Sequence, residues 1–427
     1  TSVHLSGYSQ PLQLVHAAAD ISVTEHDLRG LDAAEQQRIG AEFAEQERAR
    51  GFELDSAPLL RIRAHIESDA AWRLTVSHCH AMTEGWTLNT LLMELVECYR
   101  HLRDGGELPA YEAPSVRYAD FIAAELTALA DEETQSFWQD VVSGHAPMRL
   151  PDTWADTNGS SEDRYWVQVP FGDLEQGLQR LAARAKTSLK SVLLAAHLKV
   201  LSMLSTEDAF HTGIVHHGRL EAPDADRVLG MHLNTLPFPA TRASGTWATL
   251  VERVYAQETD LWAHRRYPLP AIQRASGETQ RLIDTLFDHQ NFHQVDTTVV
   301  DTASNQDAGG NEFALSAIAA GANINLGTTT NIVSRPNMTR LASMYRLVLE
   351  AMAADPDGDA GAAHLPAEEL AKLLGEWGGV VEVPVERCVH EAFAEQAALT
   401  PGSVAVVCGD VSLTYAEVNE RANRLAH

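Results

Sequence analysis

Strand-like and helix-like runs alternate along most of this chain, and the alternation starts a second time after a polar, turn-rich stretch at residues 151–163. Pro58 to Ile66 and Trp72 to Ser77 read as strands, the first alternating apolar and polar residues as a half-buried strand does. They lie between an Ala/Glu/Gln/Arg-rich helix (Asp32 to Arg50, stopping at Gly51) and an amphipathic one (Thr87 to His101). Past residue 163 come a strand (Tyr165 to Val169), a helix (Leu174 to Ala185) and a long apolar helix (Leu189 to Leu204). Strands near Val215, Leu233–Phe238, Leu286, Phe313 and Ile324 follow, with a helix at Thr246–His264 and a last one at Met338–Ala354. Strands separated by helices exclude a pure sandwich or barrel and predict a mixed α/β fold in two lobes.

The chain has 427 residues, 45% of them hydrophobic, which is enough for a large core. Lys and Arg number 32 against 59 Asp and Glu, a formal net charge of -27. Such a surface repels phosphate backbones, so nucleic acid is not an expected partner. Cys79, Cys98, Cys388 and Cys408 are scattered, without metal-ligand spacing, as expected of free thiols in a reducing cytoplasm. No apolar stretch is long enough to span a bilayer and no signal peptide opens the chain, so no membrane association and a cytoplasmic location are expected. The first residue is Thr1, which suggests a piece excised from something longer.

Chemistry concentrates in one strand-to-helix connection, His78-Cys79-His80-Ala81-Met82-Thr83-Glu84-Gly85-Trp86. An imidazole titrates near working pH and can take or position a proton; an acid and a glycine stand four and five residues beyond it. His-x-His-x3-Glu is also a metal-ligand spacing, with both imidazoles on one face of a strand and Glu84 returning from the loop. The glycines that flank such sites are missing here, and the long helices between strands argue against a small β-barrel, so no metal is expected. Alternation would point Cys79 away from His78 and His80, as a small packing residue rather than a nucleophile.

The stretch resembles the HHxxxDG motif of the condensation domains of nonribosomal peptide synthetases, with Cys79 for the first His and Glu84 for the Asp. Tyr118-Ala119-Asp120-Phe121, Gly230-Met231-His232-Leu233-Asn234-Thr235-Leu236-Pro237 and Leu286-Phe287-Asp288-His289-Gln290-Asn291-Phe292 resemble later elements of the family, in the family's order. Leu413-Thr414-Tyr415-Ala416-Glu417-Val418 resembles the opening motif of an adenylation domain. The family's amino-terminal motifs, the phosphate loop of adenylation enzymes and a carrier serine are not found in this sequence.

The resemblance implies two chloramphenicol-acetyltransferase-like lobes in a V-shaped pseudo-dimer. Residues 1–160 would form the first lobe without its first elements and 161–355 the second; 356–385 would be a linker and 386–427 the truncated start of an adenylation domain. The implied reaction is amide formation between an upstream acyl or peptidyl thioester and a downstream aminoacyl thioester. The implied partners are the donor and acceptor carrier proteins, whose phosphopantetheine arms enter a tunnel between the lobes, and the chain's own adenylation domain; no cofactor is bound intrinsically. His80 aligns with the active-site histidine. Glu84, Gly85 and Trp86 would shape the loop, Glu84 pairing with Arg219 or, in competition, with Arg61 or Arg63. His78, His216 and Asn234 are candidates to line the tunnel. The rival readings are a degenerate docking platform, an ester-forming or epimerising variant, and the metalloenzyme above.

Overall fold

The computed structural model describes residues 1–427 except 22, 157–163, 278, 291–294, 297, 301–312, 377–387, 410 and 427. Asn291 and Phe292 of the late motif, part of the 151–163 stretch and most of the residues just before 388 therefore lie outside the described residues. The chain divides into two compact units, Thr1–Pro366 and Ala367–His427.

The first unit opens with the hairpin β1 (Ser2–His4) and β2 (Leu12–Leu14). A second small sheet joins β3 (Val23–Asp27) in parallel to β4 (Leu60–Ile66), which pairs antiparallel with β5 (Trp72–His78). Between β3 and β4 runs α1 (Ala33–Arg50). Asp32 caps its start by accepting from the Glu35 N–H, and it stops at Gly51, whose φ of 59° suits a residue without Cβ. From β5 the chain turns into α2 (Gly85–Arg103), then α3 (Tyr118–Ala130) and α4 (Glu132–Gly144).

The remaining elements are β6 (Ala146–Pro147), β7 (Arg164–Pro170), α5 (Glu175–Arg184), α6 (Leu189–Leu204), β8 (Ala209–His217), β9 (Leu233–Thr241), α7 (Trp247–Trp262), α8 (Leu269–Ser276), β10 (Thr285–Gln290), β11 (Leu315–Ala320), β12 (Asn323–Thr329) and α9 (Arg335–Ala354). Their strands make one mixed sheet in the order β6-β8-β10-β11-β12-β7, with β9 antiparallel along β8. β8, β10 and β11 are parallel neighbours. The main core lies against this sheet. Helix α6 is apolar nearly all round because α5, α7 and α9 enclose it. Leu194 and Val200 on it are fully buried, each worth roughly 1.5–3 kcal/mol. His197 in the same helix is a satisfied core residue: its Nδ1 lies 2.6 Å from the Tyr345 hydroxyl, and burial pushes it down to about 3.

Two boundaries differ from the sequence expectation. Trp138, Val141 and Met148 belong to the core of the large sheet, and β6 pairs with β8, so the chain joins the second body well before residue 160. The Asp- and Gly-rich stretch 355–361 is not a free linker. Trp247 N–H and Ala248 N–H donate to Gly358 and Pro356, Ala360 N–H donates to Gly245, and Ala360 is fully buried. Helix α8 and strand β3 have no counterpart in the sequence reading, and the strand expected near Phe313 begins at Leu315.

The second unit holds α10 (Ala367–Ala371), α11 (Val389–Leu399), the hairpin β13 (Val404–Cys408) and β14 (Val411–Thr414), and α12 (Tyr415–Ala426). Phe393 and Tyr415 pack with ring centroids 5.6 Å apart, and Ala397 is its one buried residue among those described. Among the described residues of the chain, no single helix is long and apolar enough to cross a membrane.

Candidate active site

A cavity of about 2730 Å³ lies within the first unit, lined by residues of β5, α2, β8, β10 and β11 among others. The connection between β5 and α2 forms part of its wall. His78, Cys79, His80, Glu84, Gly85 and Trp86 all line it.

The loop is built around Thr83, which is buried. His80 Nδ1 lies 2.6 Å from the Thr83 carbonyl oxygen, and His78 Nδ1 lies 2.6 Å from the Thr83 hydroxyl. A carbonyl oxygen only accepts, so the His80 bond requires a proton on Nδ1. In the neutral ring the lone pair then sits on Nε2. His80 itself is exposed, so the ring is fixed on one edge and accessible from the cavity.

Glu84 is the N-cap of α2 and only 1% exposed. One carboxylate oxygen accepts from Trp86 N–H at 2.7 Å. The other accepts from Arg219 Nη2 at 2.5 Å, an ion pair buried on both sides. Arg219 Nη1 donates to the carbonyls of Ala225 (3.0 Å) and Val228 (2.7 Å). The Thr87 hydroxyl lies 3.0 Å from Glu84 Oε1 and 2.8 Å from the Gly230 carbonyl, and it accepts from Gly230 N–H at 3.1 Å. Trp86 adds its indole N–H to the Asp226 carbonyl at 2.9 Å. The start of α2 is thereby fastened to residues 219–230 by charge and hydrogen bonds with little water to compete. Gly230 lets the Tyr118 ring of α3 lie against the same segment, because a Cβ there would collide with it.

Arg219 is thus the residue that meets Glu84. Arg61 is engaged elsewhere, with Glu47 at 2.7 Å, and Arg63 lies 4.7 Å over the Phe43 ring. Gly85 is the first residue of α2, so its place is helical rather than a sharp left-handed turn. Strand alternation does not reach Cys79. β5 ends at His78, Cys79 N–H donates to Leu59, and the chain turns back at Met82; Cys79 is half-buried and lines the cavity instead of facing away from it.

His216 is buried on β8 and lines the cavity, and its Nε2 has no hydrogen-bond partner. Burial, reinforced by Lys190, His217 and Arg265, pushes its pKa down to about 3, so it is neutral at working pH. Asn234 does not line the cavity. Its amide nitrogen donates to Arg265 (3.0 Å) and Tyr267 (2.8 Å) carbonyls and its oxygen accepts from Leu269 N–H (3.2 Å), pinning the segment before α8. That segment carries Arg265 and Arg266, both paired with Glu221 beside Arg219. Among the described residues no three His, Cys, Asp or Glu side chains gather as metal ligands, and both Glu84 oxygens are already engaged.

Sequence reasoning misses Thr83 and Thr87. The signal for Thr87 is its place three residues after the capping Glu84, where a capping box puts its second polar side chain. Thr83 carries no spacing signal of its own.

The family model for the condensation domain matches residues 2–374. The chain belongs to the condensation-domain family. It is 36% identical over 298 residues to the AMB antimetabolite synthetase AmbE of Pseudomonas aeruginosa, covering 69% of this chain and 14% of that protein. It is 28% identical over 448 residues to the malpinin synthetase of Mortierella alpina, covering 100% of this chain and 6% of that one. The condensation domain therefore corresponds to a small part of the length of these synthetases. Among solved structures, the first condensation domain of the calcium-dependent antibiotic synthetase superposes with a TM-score of 0.65 at 18% identity, covering 86% of each chain. The mixed α/β architecture is the chloramphenicol-acetyltransferase-like fold of condensation domains.

Proposed function

We propose that this condensation domain forms an amide bond between an acyl or peptidyl thioester and the amine of an aminoacyl thioester, each delivered on the phosphopantetheine arm of a carrier protein. The observation that carries the reading is His80, held through Nδ1 by a backbone carbonyl and open to a large cavity on its other edge. With Nδ1 protonated, Nε2 accepts a proton from the attacking amine or orients its lone pair. The N–C bond forms as the C–S bond breaks, and the proton lost by nitrogen returns to the leaving thiolate. Glu84 does not react. It holds the loop by its pairing with Arg219, and Trp86 supports the same contact. His78 and His216 line the passage, His216 as a neutral ring.

The second unit is read as the start of an adenylation domain, with Leu413 to Val418 at the junction of β14 and α12. The setting is a cytoplasmic synthetase in which carriers and adenylation domain are the partners. The test is to load donor and acceptor carriers, add the protein or its His80→Ala variant, and look for condensed product by mass spectrometry. General-base roles contribute typically 10²–10⁴-fold, so a loss of at least about 100-fold is expected. Product from His80→Ala at the parent rate would remove His80 from the reaction.

A further inference from the structure

The cavity that His80 lines also holds, on β10, a carboxylate with no cationic partner among the described residues. Leu286, Asp288 and Gln290 alternate along β10, so they leave the strand on the same face, and all three line the cavity, as does His289 between them. On β11, Ser316 and Ile318 stand opposite Leu286 and Asp288 in the register and line it too. Asp288 receives a single side-chain hydrogen bond, from Gln290 Nε2 to Oδ2 at 2.9 Å. Among the described residues no Lys, Arg or His comes within ion-pair distance of it. Lys190, the cation whose field reaches it, is already paired with Glu258 at 2.8 Å, and Ser191 donates to the other Glu258 oxygen at 2.5 Å. Burial raises the Asp288 pKa above the usual carboxylate value, a sign that its charge is poorly compensated by the protein alone. A carboxylate so placed is stabilised by whatever donor enters the cavity.

We propose that Asp288, oriented by Gln290, is a subsite that binds a primary ammonium group of the acceptor substrate. The proposal rests on the condensation reading above and gives the acceptor amine a specificity-determining residue. The amine substrate of such a reaction is protonated in solution, and an apolar wall would exclude it. A carboxylate at Asp288 attracts it, and Ser316 adds a hydroxyl on the neighbouring strand. The ammonium has two chemical sources, the α-amino group common to every aminoacyl acceptor or the side chain of a basic one, and both offer the same three donors.

The experiment measures binding rather than turnover, so it stands apart from the fate of His80. Non-hydrolysable aminoacyl-aminopantetheine amides are titrated calorimetrically into the protein and into Asp288→Asn, which keeps the shape and removes the charge. Four probes are used: alanyl, N-acetylalanyl, lysyl and α-N-acetyllysyl. Asp288→Asn is expected to weaken the lysyl probe about tenfold, the scale of one charge-assisted hydrogen bond. Equal weakening of the alanyl probe, with N-acetylalanyl indifferent to the substitution, assigns the α-ammonium. Weakening confined to lysyl and α-N-acetyllysyl assigns the side chain. Asp288→Glu retains the charge and is expected to bind more tightly than Asp288→Asn. Dissociation constants within twofold between parent and Asp288→Asn for all three free-amine probes overturn the proposal, and so does a parent that binds none of them. Absence of product in the carrier assay despite Asp288-dependent binding would instead count against the condensation reading.

Discussion

Removing the Glu84 carboxylate tests whether the buried pair fastens the loop between β5 and α2 to residues 219–230. In Glu84→Ala, Arg219 stays buried at 9% side-chain exposure with its counter-ion gone. Breaking one partner of a buried pair costs about 3–5 kcal/mol. Arg219 keeps the Ala225 and Val228 carbonyls on Nη1, which places the cost near the lower end, about 3 kcal/mol. Glu84 also caps α2 through Trp86 N–H, and losing a cap adds about 1 kcal/mol. The expected destabilisation is about 4 kcal/mol. Glu84→Gln can keep the cap through its amide oxygen and should lose less, about 2–3 kcal/mol. Urea unfolding followed by tryptophan fluorescence measures both, and a double-mutant cycle with Arg219→Ala isolates the pair. Its coupling is expected to be about 2–3 kcal/mol, because the second removal strands no further charge. A coupling below about 0.5 kcal/mol would refute this account, since residues in one buried network do not behave as independent sites.

Two other expectations concern stability. Asn234→Leu strips three backbone groups of their partner before α8 and should cost about 3 kcal/mol, with faster amide hydrogen exchange at residues 265–269 than in the parent. His197, His216 and His232 are buried, and burial pushes each to about 3 in the folded chain, below the ordinary histidine value. The unfolded state therefore binds protons that the folded state refuses, so the stabilising contribution is complete above about pH 6.5 and is lost as pH falls toward 3. Each histidine adds up to about 1.4 kcal/mol per pH unit inside that window, and urea midpoints at pH 7 and pH 5 should differ accordingly, less so in His216→Gln.

The parts of the fold legible in the sequence are those fixed by local signals. Helix α1 announces itself by Asp32 and Gly51, and α6 by an apolar run too long for a strand. Strand β3, Val-Thr-Glu-His-Asp, is exposed at every position and shows no alternation, so only its pairing with β4 makes it a strand. Helix α8 is short and holds Pro270 in its first turn, and it depends on Asn234 from β9 for its entry. The order of the large sheet needs pairings between strands far apart in the chain, such as β8 with β10, which no local pattern encodes. Composition misled at 355–361, because Asp, Gly and Pro there serve tight turns that bond to the start of α7. At the site, Arg219 is one of three arginines the sequence offers to Glu84 and only the fold selects it, whereas the position of Cys79 does not follow from strand periodicity, because β5 ends one residue earlier.

The two departures from the family motif fall on Cys79 and Glu84, which both take part in bonds that hold the loop. A carboxylate at position 84 has two obligations, the helix cap and Arg219, and it meets both: Trp86 N–H lies at 2.7 Å and Arg219 Nη2 at 2.5 Å. The longer arm of Glu therefore reaches across without giving up the cap, and restoring the family's Asp would retract the charge by about 1.5 Å, the length of one carbon–carbon bond. Cys79 anchors the loop through its backbone, with its N–H on Leu59 and its carbonyl receiving Met82 N–H, and neither bond asks for an imidazole. The demand placed on His80 is different in kind. In the proposed reaction its ring presents a lone pair to the cavity, and the Thr83 carbonyl fixes which nitrogen does so. That bond involves neither altered side chain, so the ring orientation that the proposed reaction uses does not depend on either substitution.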